Sequence, residues 1–114
     1  PEFASVFRLH RKALHLDPGD TVKGDMFAPR DFGAVEREFA EKKHRAVVLD
    51  DFFSPEALGR IRDFLMDSTF WFDIKSGYLG TYSHTGFASP LVAQIDQELR
   101  AKFPNVLGGL DLQN

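Results

Sequence analysis

The sequence predicts an α+β domain in which helices pack on a small β-sheet. Three observations carry this. Amphipathic stretches that open on helix-start signals alternate with short apolar runs of strand type. Their order along the chain reads α, α, β, α, β, β, α. That order lacks the regular βαβ alternation of a parallel, doubly wound sheet. The chain has 114 residues, the size of one domain, and such a chain can bury roughly two-thirds of its unfolded surface. Twelve phenylalanines are the main stock for a core, since aromatic side chains bury the most area per residue.

The first predicted helix covers residues 3–16 (FASVFRLHRKALHL). Val6, Leu9, Ala13 and Leu16 recur at helical spacing, and Phe3, Phe7 and Leu14 widen the stripe. Asp17-Pro18-Gly19-Asp20 stops it, because Pro18 disfavours helical geometry at the residue before it. Residues 21–30 (TVKGDMFAPR) show no period and read as a linker between a helical unit, 1–20, and an α+β unit, 31–114. Asp31 is the predicted cap of a helix reaching about Lys43, with Phe32, Val35 and Phe39 on its apolar stripe. Arg45 to Phe52 (RAVVLDDF) reads as a buried strand around Ala46-Val47-Val48-Leu49.

Ser54-Pro55-Glu56 is a strong helix start: a capping hydroxyl, proline in the first turn and an acid at the positive end of the dipole. Leu58, Ile61, Phe64 and Leu65 are its expected buried face. Phe70–Ile74 and Gly77–Ser83 read as two strands joined at Lys75-Ser76-Gly77. Ser89-Pro90 repeats the helix-start signal, and Leu91, Ile95, Leu99 and Phe103 mark one face of a last helix that Pro104 ends. The tail from Asn105 reads as loop, with a strand beginning at Leu110. Three strands leave open sheet edges, which ordinarily need a cover or a partner.

Composition excludes several classes. Net charge is −3 and the charges are interspersed, so there is no nucleic-acid footprint and no polybasic membrane patch. There are no cysteines, which removes disulfides, zinc–thiolate sites and cysteine nucleophiles. No apolar run approaches the ~20 residues of a membrane span, and no secretory leader is visible at the start, so the cytoplasm is the default compartment. The glycines form neither a phosphate loop nor a dinucleotide fingerprint. A G-x-S-x-G nucleophile elbow is absent.

Among the histidines, His15-Leu16-Asp17 has the H-x-D string of many iron sites. On a strand, residues i and i+2 share a face, but at the end of a helix they point about 200° apart, which is wrong for a chelate. His84 sits before a Thr85-Gly86 turn with no carboxylate placed to join it. Asp50-Asp51 is expected to solvate and cap a strand end. The residues by themselves show no catalytic centre and no metal site.

From Val47 onward the chain resembles a known family. The pieces are Leu49 to Leu58 as a strand-to-helix entry, Ser68-Thr69 with Trp71, Gly77 to Tyr82 (GYLGTY), Gly86-Phe87 with Pro90-Leu91, and Glu98-Leu99 with Pro104. In this order they resemble the N-terminal half of bacterial 2-oxoglutarate/Fe(II)-dependent oxygenases of the prolyl-hydroxylase-like group, over a little more than half of the chain. The resemblance implies a double-stranded β-helix, or jelly roll, preceded by helices that pack on its major sheet. It implies iron held by an H-x-D/E and a later histidine, with a basic residue for the 2-oxoglutarate carboxylate. Nothing in this sequence matches that set. The chain therefore looks like the entry portion of a dioxygenase (hydroxylase) parent, a fragment that binds neither Fe(II) nor 2-oxoglutarate by itself.

Tyr78 and Tyr82, expected on one side of a strand, are the candidates for hydrogen bonding to substrate or co-substrate; core packing is the alternative for both. Lys12 to Pro18 (KALHLDP) is similar to the closing line of a tetratricopeptide repeat. The expected partners are the remainder of the parent domain, a second copy of the chain, or a protein substrate. The rival expectation is a non-catalytic interaction module that self-associates or binds a partner through its helix and sheet edges.

Overall fold

The computed structural model describes residues 15–43, 45–71 and 73–110. The body of the first predicted helix, with the repeat-like segment up to Leu14, lies outside the described residues. His15 and Leu16, expected at its end, are not helical. The described elements are α1 (Phe32–Glu41), α2 (Pro55–Asp67), β1 (Asp73–Lys75), β2 (Tyr78–Gly80), a 3-10 turn (Ser83–Thr85), α3 (Pro90–Lys102) and α4 (Pro104–Leu107). The class is α+β, with a two-stranded antiparallel sheet.

The three longer helices start where their caps dictate. The side chains of Asp31, Ser54 and Ser89 accept from the backbone N–H of Ala34, Ala57 and Val92, each meeting one of the first-turn donors that a helix leaves unpaired. Proline at the first position of α2 and α3 costs nothing, because its missing N–H would have had no partner there. The buried face of α2 is set by Ala57 and Phe64. Leu58, expected on that face, is 56% exposed, since it lies about 100° around the helix from Ala57.

The stretch 15–30, read from sequence partly as a linker, has no helix or strand but is packed as a strap. Val22, Met26 and Phe27 are buried core residues. The strap runs along α3, whose side chains serve it as hydrogen-bonding partners. Leu91 N donates to Gly19 O at 2.8 Å. The Gln94 amide accepts from Val22 N at 2.9 Å and donates to Val22 O at 3.1 Å. Glu98 Oε2 accepts from Met26 N at 2.8 Å. Gln94 and Glu98 are one helical turn apart, so both project from the same face. The strap then reaches the start of α2: Ala28 N donates to Phe52 O and Ser54 N to Met26 O, around a single antiparallel bridge between Phe27 and Phe53.

Two groups of rings fill the space between these elements. Phe27 stacks on Phe52 at 4.4 Å, Phe52 also meets Phe53 and Phe103, and Phe32 meets Phe103 edge-on at 5.4 Å. Phe64, Phe70, Phe87 and Trp71 form the second group, with Phe64 and Phe70 edge-to-face at 5.3 Å. The Trp71 indole N–H donates to Leu65 O at 3.0 Å, which supplies the polar partner a half-buried tryptophan needs.

Several expectations about strands are corrected. Residues 45–52 form no strand, and Val48 is 87% exposed. A strand needs a hydrogen-bonded neighbour, and the extended piece of the strap pairs further along, at 52–54, where the stacked phenylalanines hold it. Arg45 (φ 45°) and Asp51 (φ 48°) also turn the chain at both ends of the apolar run.

The hairpin is real but shorter than expected. Ile74 pairs with Leu79 and Lys75 with Tyr78 across a Ser76-Gly77 loop, with Gly77 at φ 90°, a conformation that suits glycine. Helices were expected to lie on this sheet. Instead Ile74 and Leu79 are 76% and 57% exposed, and the helices pack around the phenylalanine groups. Pro104 ends α3 and also starts α4, in a tail read as loop.

Candidate functional site

The hairpin brings one candidate tyrosine to the surface and leaves the other beyond it. Tyr78 lies on β2 and is exposed. β2 ends at Gly80, so the alternation that would align Tyr78 with Tyr82 does not run far enough. Tyr82 is also exposed, and its ring stacks on His84 at 5.7 Å and 12°. His84 sits in the 3-10 turn. Its neighbour Gly86 (φ 114°) packs closely enough that a Cβ there would meet Leu16 at 3.0 Å and Phe70 at 3.4 Å. Residues 73–86 are thus a hairpin exposed at Ile74, Tyr78 and Leu79 whose return turn is pinned to the core.

The H-x-D string lies on the strap, not on a helix. The helical geometry that argued against a chelate there does not apply, but the carboxylate is already engaged. Arg60 donates from both Nη atoms to both Asp17 oxygens, at 3.2 Å for Nη1 to Oδ2. Gly19 N donates to Asp17 Oδ1 at 2.8 Å. The strap is also tied to the end of α2, with Asp17 N donating to Ser68 Oγ and the His15 backbone exchanging hydrogen bonds with Thr69.

The hydrogen bond from Arg60 and the Gly19 N–H hold the Asp17 carboxyl below its ordinary value of 3.8. With the folded-state pKa depressed, the contribution of the pair is complete above about pH 4, where Asp17 is ionised in the unfolded chain as well. It is lost as pH falls through the lower folded-state value. Urea midpoints measured from pH 7 to pH 2 are expected to fall on the acid side, with a shallower fall in Asp17→Asn. An identical acid limb in the variant would exclude Asp17 as a source of it.

A second location was not read from the sequence. Val35, Glu36 and Phe39 of α1, Arg45, Ala46, Val47 and Leu49 of the following segment, and Phe103, Val106 and Leu107 line an apolar cavity of about 320 Å³. Glu36 is only 8% exposed, and both its oxygens are used. Oε1 accepts from the backbone N–H of Asn105 (2.8 Å) and Val106 (3.3 Å), and Oε2 accepts from Asn105 Nδ2 (2.7 Å). The N-cap of α4, Phe103, has no side-chain acceptor, so a carboxylate from α1 takes that role across the fold. No local sequence signal marks this, because the partners are 69 and 70 residues apart. Nearby, Arg30 donates to the carbonyls of Asp50 and Asp51, with its guanidinium 5.8 Å over Phe52. The two acids expected to cap a strand end thus offer their backbone to an arginine.

Comparison with protein-family models, with curated proteins and with solved structures returned no match. Among the described residues, no three His, Asp or Glu side chains converge as a metal site, so these residues do not fit the iron that the resemblance implies. No helix among them is long and apolar enough to cross a membrane.

Proposed function

We propose that this chain is the entry portion of a 2-oxoglutarate/Fe(II)-dependent oxygenase and is inactive by itself. The observation that supports the reading most is the incomplete sheet. A two-stranded hairpin with Ile74, Tyr78 and Leu79 exposed is marginal in water and gains stability from further strands. The strand-type run at Ala46–Leu49 likewise has no ladder partner among the described residues. A barrel supplied by the rest of a parent would satisfy both. The helices then act as a scaffold, and Tyr78 on the hairpin and Tyr82 beyond it are the candidates for hydrogen bonding to substrate or co-substrate.

The test has two arms. The 114-residue chain supplied with Fe(II) is expected to leave 2-oxoglutarate unconsumed; turnover would refute its inactivity. In a chain extended to include an H-x-D and a later histidine with a nearby Arg or Lys, Tyr78→Phe or Tyr82→Phe is expected to raise KM for substrate or 2-oxoglutarate several-fold. Unchanged KM values for both would remove the tyrosines from the pocket. A parent sequence without the H-x-D and histidine set would overturn the oxygenase reading.

The rival reading is a non-catalytic interaction module. The exposure of Val48 on an unpaired strand-type run, and of Ile74 and Leu79 on a hairpin with open edges, favours it, because exposed apolar side chains and open strand edges mark sites where another chain docks.

A further inference from the structure

We infer that residues 46–49, flanked by Arg45 and Asp51, form a self-association edge, through which two copies of this chain pair antiparallel about a two-fold axis at Val48. The inference rests on the apolar run and its cavity, not on the oxygenase reading.

The run Ala46-Val47-Val48-Leu49 has the composition of a strand buried on both faces. In the structure neither face is fully covered. Val48 points out and is 87% exposed. Val47 and Leu49 are half-buried over the apolar cavity of about 320 Å³. No described residue completes a ladder with the run. Arg45 N donates to Lys42 O and the carbonyls of Asp50 and Asp51 accept from Arg30, so it is the backbone of the four residues between, Ala46 to Leu49, that is available to an added strand, which is a common way for a sheet edge to recruit another chain.

The charges at the ends select a second copy as that strand. The segment reads Arg45-Ala-Val-Val-Leu-Asp-Asp51, basic at one end and acidic at the other. Centred on Val48, an antiparallel pairing places Val48 against its own equivalent and Val47 against Leu49. Arg45 and Asp51, whose positive φ values turn the chain out of the ladder, flank it, so that the basic end of each copy lies beside the acidic end of the other, once on each side of the axis. Directly opposed residues share a face in such a pair, so the cavity-facing Val47 and Leu49 of both copies stay on the cavity side. The contact is isologous, as a closed two-fold dimer requires. A parallel pairing would put Arg45 beside Arg45 and acid beside acid. Asp51 forms no side-chain ion pair among the described residues, and neither does Arg45.

The experiment is a charge swap on the 114-residue chain, read by sedimentation equilibrium over a hundredfold range of concentration. The unaltered chain is expected to reach twice its monomer mass. Arg45→Asp and Asp51→Arg are each expected to raise the dimer Kd at least tenfold. An equimolar mixture of the two is expected to restore association, because each carries what the other lacks. Val48→Lys, at a position too exposed to disturb the core, is expected to abolish the dimer with the circular dichroism spectrum unchanged. A chain monomeric at every concentration would overturn the inference, as would a dimer that both charge variants leave intact. Protection of the Val47 and Val48 amides that appears only in a longer chain would overturn it too, and would assign the edge to a strand of that chain.

Discussion

Gly19→Ala is expected to cost about 2–4 kcal/mol, a large part of the 5–15 kcal/mol typical of a domain. Two effects add at this position. Gly19 lies at φ 66°, in the left-handed region where a Cβ is penalised. The added Cβ would also sit 2.4 Å from Ser89 Cβ, 2.6 Å from Ser89 Oγ and 3.2 Å from Phe64 Cε2. None of these atoms is the free end of a long side chain. Ser89 caps α3, and Gly19 O accepts from Leu91 N. Moving either atom group disturbs the seat of the helix. Urea and thermal midpoints would measure the loss. Gly109→Ala, where nothing lies within 4 Å, is the control and is expected to change stability by less than about 0.5 kcal/mol. A Gly19→Ala midpoint equal to that of the control would mean that the strap does not sit against the start of α3.

Glu36→Ala is expected to cost about 2–4 kcal/mol, because it removes the acceptor for two first-turn N–H groups of α4 and for the Asn105 amide. Glu36→Gln is the sharper probe. Its carbonyl can still accept from Asn105 N and Val106 N, but its NH₂ would face the Asn105 Nδ2 donor. A loss of about 1–2 kcal/mol, between the wild type and the alanine variant, is expected. The comparison residue is Glu38, two positions on in α1, which pairs with Lys42 on the surface at 50% and 47% side-chain exposure. An exposed pair of this kind is worth about 0.3–0.5 kcal/mol. Equal losses for Glu36→Ala and Glu38→Ala would show that α4 does not depend on α1 for its cap.

Local signals in the sequence reached the helix starts and stopped short of the tertiary partners. Asp31, Ser54-Pro55 and Ser89-Pro90 could be read because a cap acts within three residues of itself. The hairpin turn, read as Lys75-Ser76-Gly77 and found at Ser76-Gly77, could be placed for the same reason. The strand at 45–52 failed because strand formation depends on a neighbour, and apolar, β-branched composition says nothing about where that neighbour lies. The stretch 21–30 looked like a linker because it has no period, yet its core residues Val22, Met26 and Phe27 are held by partners distant in sequence: Gln94, Glu98 and the phenylalanines. Glu36 would have been assigned to a solvated helix face. Its role follows from Phe103 being unable to cap, a pairing visible only once α1 and α4 are adjacent. Tyr78 and Tyr82 were linked by an alternation that the structure ends at Gly80.

The way the strap is held along α3 fixes where the chain can change length. Val22 and Met26 are four residues apart, and so are the Gln94 and Glu98 side chains that receive them. Four residues of α-helix rise only ~6 Å, whereas four extended residues reach ~13 Å. The strap takes up the difference with bends at Lys23 and Gly24, so the segment between its two anchors carries surplus length. The helix carries none. One residue inserted between Gln94 and Glu98 would swing Glu98 about 100° off the shared face, while the exposed Lys23-Gly24-Asp25 tip can gain or lose a residue with both anchors in place. Insertion of one residue at that tip is therefore expected to be tolerated, and insertion of one residue between Gln94 and Glu98 to destabilise the fold.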